Sequence, residues 1–312
     1  MSMAAVDLSS AKVLVTGGGG FVGVPTVRAL AEAGARVRVL DVADSPRLSG
    51  IECDLQVGDI ADEGVVAAAC ADVDYVIHLA VLPLTQANAE VSLAFETNIR
   101  GSFNVFRAAG EAGVRKIIYS SASSAYGPTQ AVPISEDHPL RPSVFYAASK
   151  AASEMVLRGL AGNCGFGYCI LRYMNVYGPG QRAGVVPAIA RRLLAGERPI
   201  LNGDGEQAFD FVHIDDCAGA NLSALISDAN GEDFNVGCGE ATSLNALVAL
   251  MNQLLATELA PTYQGDPTPA PPRVGRIEKL RDLAGFEARV ALRDGLAGVL
   301  DELRNAEFAS AR

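Results

Sequence analysis

The hydrophobic positions of this chain fall into short runs rich in β-branched residues, which alternate with longer Ala- and Leu-rich stretches. The short runs are KVLVTG, RVRVLD, DYVIHLA, KIIYSS and GYCILRY, and the longer stretches include PTVRALAEAG, LAFETNIRGSFNVFRAAGEAG and YAASKAASEMVLRGLA. Near-continuous apolar strands separated by helices are typical of a parallel sheet that is covered on both faces. The pattern therefore predicts an α/β fold with a doubly wound parallel sheet.

The regular alternation ends near residue 173. Beyond it we predict a helix at VVPAIARRLLAG, a turn at NGDGEQ, a strand at FDFVHI and helices at DDCAGANLSALIS and SLNALVALMNQLLA. Two polar connections, GPTQAVPISEDHPLRPS and the Pro-rich PTYQGDPTPAPPR, are predicted to be loops. We therefore predict a first domain over 1–173, to which 210–235 returns, and a smaller mixed α/β domain over 174–312.

Composition and charge narrow the class of protein. The chain has 312 residues, of which 49% are hydrophobic and 20% charged, which is enough apolar material for a large core. A formal charge of −11 argues against binding to nucleic acid or an anionic membrane, because both require clustered Lys and Arg. The chain contains no long apolar span and no signal-peptide pattern, so we expect a cytoplasmic enzyme. Its six cysteines contain no CxxC pair, which predicts neither a disulfide framework nor a metal site.

The glycine-rich segment VLVTGGGGFVG runs from the first predicted strand into the first predicted helix. Gly18, Gly20 and Gly23 fit a G-x-G-x-x-G spacing, and Gly17, Gly20 and Gly23 fit G-x-x-G-x-x-G equally well. In either register the glycines permit a tight turn and close approach of a pyrophosphate to the helix N-terminus. A plain glycine turn is the alternative, and the flanking strand and helix disfavour it.

Asp41 ends the second predicted strand, where a carboxylate accepts hydrogen bonds from both ribose hydroxyls of an adenosine. Its charge would repel a 2′-phosphate, so it favours NAD over NADP. Arg38 and Arg47 lie close to it in sequence and would favour the phosphate instead. Asp59, in VGDI, follows the next strand, where adenine contact and backbone capping are equally consistent with its position.

Further motifs extend along nearly the whole chain: HLA at 78–80, TNIRGSFNV at 97–105, SSASSAYG, YAASK, RYMNVYGPGQ at 172–181, GDGEQAFDFVHIDD at 203–216 and FNVGCGE at 234–240. With the glycine loop, Asp41 and GDI, they resemble the extended short-chain dehydrogenase/reductase superfamily, in particular its NAD-dependent nucleotide-sugar epimerases and dehydratases. The resemblance implies a Rossmann-type domain that binds NAD and a carboxy-terminal domain that closes over a nucleotide-diphosphate sugar. It also implies a homodimer built from the helices after HLA and at YAASK. The implied NAD contacts are Gly17, Gly20, Phe21, Val22, Gly23, Asp41, Asp59, Ile60, Leu79, Ala80, Asn98, Ser120, Tyr146, Lys150 and Tyr173.

In YAASK, Tyr146 and Lys150 lie one helical turn apart on the same face. A lysine ammonium beside the phenol, with the positive nicotinamide ring nearby, favours the phenolate and brings its proton affinity toward neutrality. Tyr146 can then remove a hydroxyl proton as hydride leaves the carbon, while Lys150 also holds the nicotinamide ribose. A chance pair on an amphipathic helix is the alternative, which the upstream dinucleotide motif disfavours.

The segment SSASSAYGP offers four serines to this pair. The resemblance implies a catalytic Ser or Thr four residues before the tyrosine of YG, where this chain has Ala122. We predict that Ser123 replaces it, with its hydroxyl nearer to the Tyr146 oxygen than that of Ser121. Ser120 or a water is the alternative donor, and hydrogen bonds to the backbone are the alternative use of all four serines.

The resemblance also implies a set of substrate-binding residues: Asn175 in RYMNVYGP, Val186 in VVP, and Arg273. A second arginine that clamps the diphosphate is replaced by Phe209 in GDGEQAFDF. Loss of one charge-assisted contact weakens binding by about 1.5–3 kcal/mol unless another residue substitutes. Arg182 and Arg276 are the candidates for that substitution.

Positions 123 and 124 distinguish among the reactions of the resembled family. Its dehydratases and decarboxylases carry acids there, and this chain has serines, which favours reversible oxidation at one carbon. The leading hypothesis is an NAD-dependent epimerase that acts at C4 of a nucleotide-diphosphate sugar through a 4-keto intermediate. The alternatives are an NAD-dependent dehydrogenase, reductase or dehydratase of a related hydroxylated substrate, and a non-catalytic NAD-binding protein.

Overall fold

The structure, a computed structural model, describes residues 6–129, 131–267 and 271–310, with side chains described as far as residue 306. Position 130 in the first polar connection, 268–270 in the Pro-rich loop and the two chain ends lie outside the described residues. Within the described part, no helix has the length and apolar character needed to cross a bilayer. All six cysteines are free thiols, and the described side chains form no cluster of three or more metal-ligating types.

Seven parallel strands form the central sheet. The strands of the chain are β1 (Lys12–Thr16), β2 (Arg36–Asp41), β3 (Asp54–Val57), β4 (Tyr75–His78), β5 (Lys116–Ala122), β6 (Gly167–Tyr173), β7 (Asn175–Tyr177), β8 (Ile200–Asn202), β9 (Ala208–Phe209), β10 (Phe211–His213), β11 (Glu232–Val236), β12 (Thr242–Ser243) and β13 (Thr262–Gln264). The central sheet has the order β11-β6-β5-β4-β1-β2-β3, so the strand order reverses between β1 and β4. Ligands of such folds bind at this reversal, outside the carboxyl ends of the strands.

Helices cover both faces of this sheet. The helices are α1 (Gly23–Glu32), α2 (Glu63–Cys70), α3 (Leu84–Ala89), α4 (Val91–Ala94), α5 (Ser102–Glu111), α6 (Phe145–Cys164), α7 (Val185–Leu194), α8 (Ile214–Ile226), α9 (Leu244–Leu255), α10 (Glu278–Ala284) and α11 (Leu292–Ser310). On one face, α1 and α8 bury Leu30 and Leu225, and on the other α2, α5 and α6 bury Val66, Phe106 and Leu157. The predicted Rossmann-type fold is therefore confirmed.

A third hydrophobic core lies in the carboxy-terminal part of the chain. It is built by α7, α9 and α11 around Leu193, Met251 and Leu300. Three two-stranded sheets accompany it, which pair β10 with β7, β12 with β9 and β13 with β8. Between these pieces the chain returns to the central sheet through α8 and β11.

Three elements differ from the sequence prediction. The predicted single helix after HLA contains a π-helical segment, Phe95–Gly101, where a Cβ at Gly101 would lie 2.7 Å from Ile60 side-chain atoms. The predicted strand FDFVHI is divided into β9 and β10 at Asp210, whose buried carboxylate accepts backbone N–H groups from the loop after β11. A short strand, β13, lies in the segment predicted to be a Pro-rich loop, because it pairs with β8.

Candidate active site at the carboxyl edge of the sheet

A cavity of about 580 Å³ opens at the carboxyl ends of the central strands. It spans the reversal between β1 and β4, and its size suits a dinucleotide or a comparable ligand. Its walls include every predicted NAD contact except Asn98. The cavity therefore brings residues from separate segments of the sequence to one place, and their contact with NAD stays a prediction.

The glycine loop leaves no room for side chains where it passes the end of β4. A Cβ at Gly17, whose φ is +70°, would lie 2.7 Å from the Cα atom of Ala80. A Cβ at Gly23 would overlap the Gly17 carbonyl oxygen. Within the described residues no side chain caps the start of α1. In its first turn Val24 N–H donates to the Gly20 carbonyl at 3.2 Å and Pro25 has no N–H, so the Gly23 N–H is the group left for an anion. These features fit the pyrophosphate of a dinucleotide.

Asp41 links the end of β2 to the glycine loop. One of its carboxylate oxygens accepts the Gly19 N–H at 2.9 Å, and the other accepts the Val42 N–H at 2.8 Å. The carboxylate also lines the cavity, where its remaining lone pairs can accept ribose hydroxyls. Arg38 is turned away, since it pairs with Asp54 at 3.1 Å and donates to carbonyls at the end of α2. It therefore supplies no charge for a 2′-phosphate.

Asp59 and Asn98 take different positions relative to the cavity. Asp59 lines the cavity and accepts the Ala61 N–H at 2.9 Å, so backbone capping and exposure to a ligand coexist there. Asn98 is buried: its amide oxygen accepts the Leu82 N–H at 2.7 Å, and its amide nitrogen donates to Ser149 Oγ at 3.1 Å. Because the protein itself uses these groups, Asn98 positions the loop after β4 against α6 and lies outside the cavity wall.

Tyr146 and Lys150 lie in the first two turns of α6 and form one wall of the cavity. Lys150 is 2% exposed, and its ammonium donates to the Ser120 carbonyl oxygen at 2.7 Å. Burial lowers the pKa of Lys150 to about 7, while the charge of Glu154 acts in the opposite direction. Burial raises the pKa of Tyr146 to about 12. Both shifts disfavour the charged forms, so added positive charge beside the phenol is needed to make it a base.

The serines at and after the end of β5 have different surroundings. Ser120 and Ser121 line the cavity together with Ala122. Ser121 Oγ donates its proton to Glu154 Oε1 at 2.5 Å. Ser123 is buried beyond the cavity wall, in a 3₁₀ turn. Its catalytic role stays a prediction, and Ser120 is the serine on the wall whose hydroxyl is not bound to Glu154.

The predicted substrate residues Asn175 and Val186 do not line the cavity. Asn175 begins β7 between Met174 and Val176, which do line the cavity. Val186 is 1% exposed and packs in the core of α7, α9 and α11. The side chain of Val186 therefore has a packing role, which leaves only the backbone of this helix start for contact with a ligand.

Arg273 and the two replacement candidates differ in how freely they can reach a phosphate. Arg273 donates to the carbonyl oxygens of Ser123 at 2.8 Å and Gly127 at 3.2 Å, and so holds the turn after β5. Phe209, in place of a second arginine, packs edge-to-face on Phe211 with ring centroids 6.2 Å apart. Arg182 and Arg276 are both exposed.

Sequence reasoning missed a buried hydrogen-bonded chain beneath the cavity. His78 Nδ1 lies 2.6 Å from Thr16 Oγ1, and its Nε2 lies 2.9 Å from Ser102 Oγ. Ser102 donates its own proton to the Asn98 carbonyl at 2.6 Å, so Nε2 carries the imidazole proton and Nδ1 accepts from Thr16. Burial lowers the pKa of His78 to about 3, which keeps the ring neutral. The HLA motif marked His78, but only the tertiary structure identifies its partners.

Comparisons with known proteins agree with this geometry. The model of the NAD dependent epimerase/dehydratase family matches residues 13–237. A UDP-glucose 4-epimerase of Mycolicibacterium smegmatis is 31% identical over 317 residues, which cover 94% of this chain and 99% of that protein. The crystal structure of the UDP-glucose 4-epimerase of Thermotoga maritima with UDP-glucose has a TM-score of 0.88 and 32% identity, and covers 95% of this chain and 99% of its own. A UDP-glucose 4-epimerase of Thermus thermophilus in complex with NAD has a TM-score of 0.85 and 30% identity, with coverages of 95% and 99%. The predicted resemblance is thus confirmed: the chain belongs to the NAD-dependent epimerase/dehydratase family, and its cofactor is NAD.

Proposed function

We propose that this chain is an NAD-dependent epimerase that inverts C4 of a nucleotide-diphosphate sugar through a 4-keto intermediate. The observation that carries the proposal is the placement of Tyr146 and Lys150 in one cavity with the glycine loop and Asp41. UDP-glucose is the first substrate to test, since the compared relative and both compared structures are named UDP-glucose 4-epimerases.

The chemistry needs one acid/base, and Tyr146 supplies it. When bound, NAD would supply the acceptor for the hydride that leaves C4 and the donor for its return to the opposite face of the sugar. The Tyr146 phenolate accepts the proton of the 4-hydroxyl as the C–H bond breaks, and it gives a proton back to the carbonyl oxygen on return. The Lys150 ammonium, held by the Ser120 carbonyl, stabilises the phenolate against the cost of burial.

The described cavity wall offers no second acid near the reacting end. The acidic residues on its wall are Asp41 and Asp59, which follow β2 and β3 at the adenosine end of the predicted cofactor site. Elimination of water from the keto-sugar requires an additional proton carrier near the sugar. The wall beside Tyr146 instead carries Ser120, Ser121 and Ala122, which favours epimerisation over dehydration.

The two parts of the chain divide the binding work in this proposal. Residues 1–173 with 210–235 hold NAD, and the remainder of 174–312 contacts the sugar nucleotide. Asn175 and Arg273 contact the diphosphate. Arg182 or Arg276, which are both exposed, supplies the second guanidinium that is missing where the chain has Phe209. The substitution of a phenyl ring for a guanidinium weakens the hold on the diphosphate rather than the redox chemistry.

The test is direct. The protein, with no added cofactor, is incubated with UDP-hexoses that carry a hydroxyl, an N-acetyl or a carboxylate substituent, and the sugar is followed by proton NMR. Inversion at C4 without loss of water or carbon dioxide is the expected result. Net formation of NADH, a dehydrated product, or failure to bind any of these nucleotides would reject the proposal.

We also propose that the protein is a homodimer. Large apolar side chains are exposed on the face formed by the π-helical segment, α5 and α6, among them Phe95 (48% exposed), Phe103 (36%) and Met155 (52%). A second copy of this chain that packs the same helices against them would remove these side chains from water. The resulting four-helix contact keeps both cavities open, because they lie at the strand ends.

A further inference from the structure

Helix α6 is joined to the end of β5 by two hydrogen bonds on successive turns. Lys150 Nζ donates to the Ser120 carbonyl oxygen at 2.7 Å, and Ser121 Oγ donates to Glu154 Oε1 at 2.5 Å. Lys150 and Glu154 are four residues apart, so they share the helix face that also carries Tyr146. Two consecutive residues of β5 therefore hold α6 in position: the Ser120 carbonyl accepts a hydrogen bond from the helix, and the Ser121 hydroxyl donates one to it.

Glu154 is fully buried and held on both oxygens. Arg172 of β6 donates from Nε to Oε1 at 3.0 Å and from Nη2 to Oε2 at 2.7 Å. Arg172 also donates to the Tyr126 hydroxyl at 3.1 Å and to the Glu136 carbonyl at 2.8 Å, beyond the turn that follows β5. A bidentate buried ion pair of this kind keeps the carboxylate charged and restricts its position.

We propose, on the basis of the proposed epimerase function, that Glu154 is a positioning residue for the catalytic pair. Through Ser121 it fixes the strand end whose carbonyl holds the Lys150 ammonium, and its negative charge keeps that ammonium in place beside Tyr146.

The titratable and charged groups that surround Lys150 come from its own helix and from three strands. They are Tyr146 and Glu154 of α6, Tyr119 of β5, His78 of β4 and Tyr173 of β6, and Arg172 of β6 pairs with Glu154. The Lys150 ammonium lies 5.1 Å from the centroid of the Tyr119 ring. Burial lowers the pKa of Lys150 to about 7, and Glu154 is the group whose charge opposes that shift. Loss of the Glu154 charge therefore makes Lys150 lose its proton at lower pH.

The lysine content makes this effect measurable without an activity assay. The chain has four lysines, Lys12, Lys116, Lys150 and Lys279, so protein grown with ¹³C-labelled lysine gives four side-chain signals. Comparison with Lys150→Arg identifies the Lys150 signal. In the NAD-loaded protein, we expect Glu154→Gln to lower the pH at which this signal titrates by about one unit, while the other three signals stay unchanged.

Two variants distinguish the effect of the Glu154 charge from the effect of its hydrogen bond to Ser121. Asp233→Asn removes a carboxylate that accepts from Arg172 at 2.7 Å but contacts neither Ser121 nor Lys150, so the Lys150 titration should stay as in the wild type. Ser121→Ala keeps the Glu154 charge and deletes the hydroxyl. It should reduce kcat for epimerisation about tenfold without moving the titration, and Ser121→Thr should restore most of that loss.

An unshifted Lys150 titration in Glu154→Gln, or an equal shift in Asp233→Asn, would overturn the assignment. If Glu154→Gln does not fold, Ser121→Ala decides: wild-type kcat in that variant contradicts the positioning role. The titration does not require turnover, so a protein that epimerises no sugar would reject the proposed function separately.

Discussion

Tyr146 is the residue on which the proposed chemistry most directly depends. Tyr146→Phe removes the transferable proton and leaves the ring in place, so kcat should fall by roughly 10²- to 10⁴-fold while bound NAD and the unfolding temperature stay unchanged. Tyr168→Phe is the matched control, because its hydroxyl contacts Arg158 away from the cavity. Steady-state epimerisation and NAD release on denaturation measure the two effects. Wild-type turnover in Tyr146→Phe would remove the acid/base role from this residue.

Asp41 should determine the choice between NAD and NADP. The wild type should bind NAD more tightly, and Asp41→Ala should erode that preference, because the carboxylate that repels a 2′-phosphate is gone. Asp59→Ala should weaken both cofactors alike, since adenine is common to them. Dissociation constants measured for both cofactors in the three proteins test this. A wild type that prefers NADP would contradict it.

The sequence predicted the positions of residues in motifs that determine a backbone conformation. It was a weaker guide to hydrogen bonds that depend on the direction in which a side chain points. The glycine spacing and the family resemblance together predicted that Gly17, Gly20 and Tyr146 lie at one site, and all three line one cavity, because strand ends and helix starts converge at one edge of such a sheet. It could not predict that Ser121 would point at Glu154, since the partner lies on another element. The same limit applies to Asn98, whose amide is used by Leu82 and Ser149.

At the scale of elements, the pattern of apolar runs predicts the strands and helices of the central sheet, while the irregular segments depend on tertiary contacts. The π-helical segment before α5 is an example. The Asn98 carbonyl in it accepts hydroxyl protons from Ser102 at 2.6 Å and Ser153 at 2.8 Å, and these donors lie on α5 and α6. No local sequence pattern contains that information.

The buried His78 that joins β4 to β1 and α5 should make the fold sensitive to acid. The pKa of His78 is lowered from 6.5 to about 3 by burial, so the unfolded chain binds a proton that the folded chain does not. Stability should therefore fall as pH drops from about 6.5 toward 3, by up to about 1.4 kcal/mol per pH unit from this group.

His78→Gln removes the titrating ring and should flatten that dependence in urea unfolding measured between about pH 6.5 and 4.5. His138→Gln, outside this chain of hydrogen bonds, is the control and should keep the wild-type slope. Equal slopes in His78→Gln and the wild type would show that His78 is not the group responsible.

At the scale of the whole molecule, the exposed apolar face of α5 and α6 predicts a dimer. Met155→Glu places a charge in that face and should convert the protein to a monomer, as measured by light scattering coupled to size-exclusion chromatography. Leu283→Glu is the control, because Leu283 is 49% exposed but lies on α10, away from this face. A wild type that is monomeric at micromolar concentration, or a Met155→Glu variant that remains dimeric, would contradict the proposed interface.

The central claim is that one hydride leaves C4 of a sugar nucleotide and returns to the same carbon within one cavity. UDP-glucose labelled with deuterium at C4 tests it most directly, when incubated in ordinary water with the protein as isolated and no added cofactor. We predict that the C4 epimer forms and retains its deuterium at C4, as read by proton NMR and mass spectrometry. An epimer that carries protium at C4, deuterium recovered in free NADH, or no epimer at all would contradict the account.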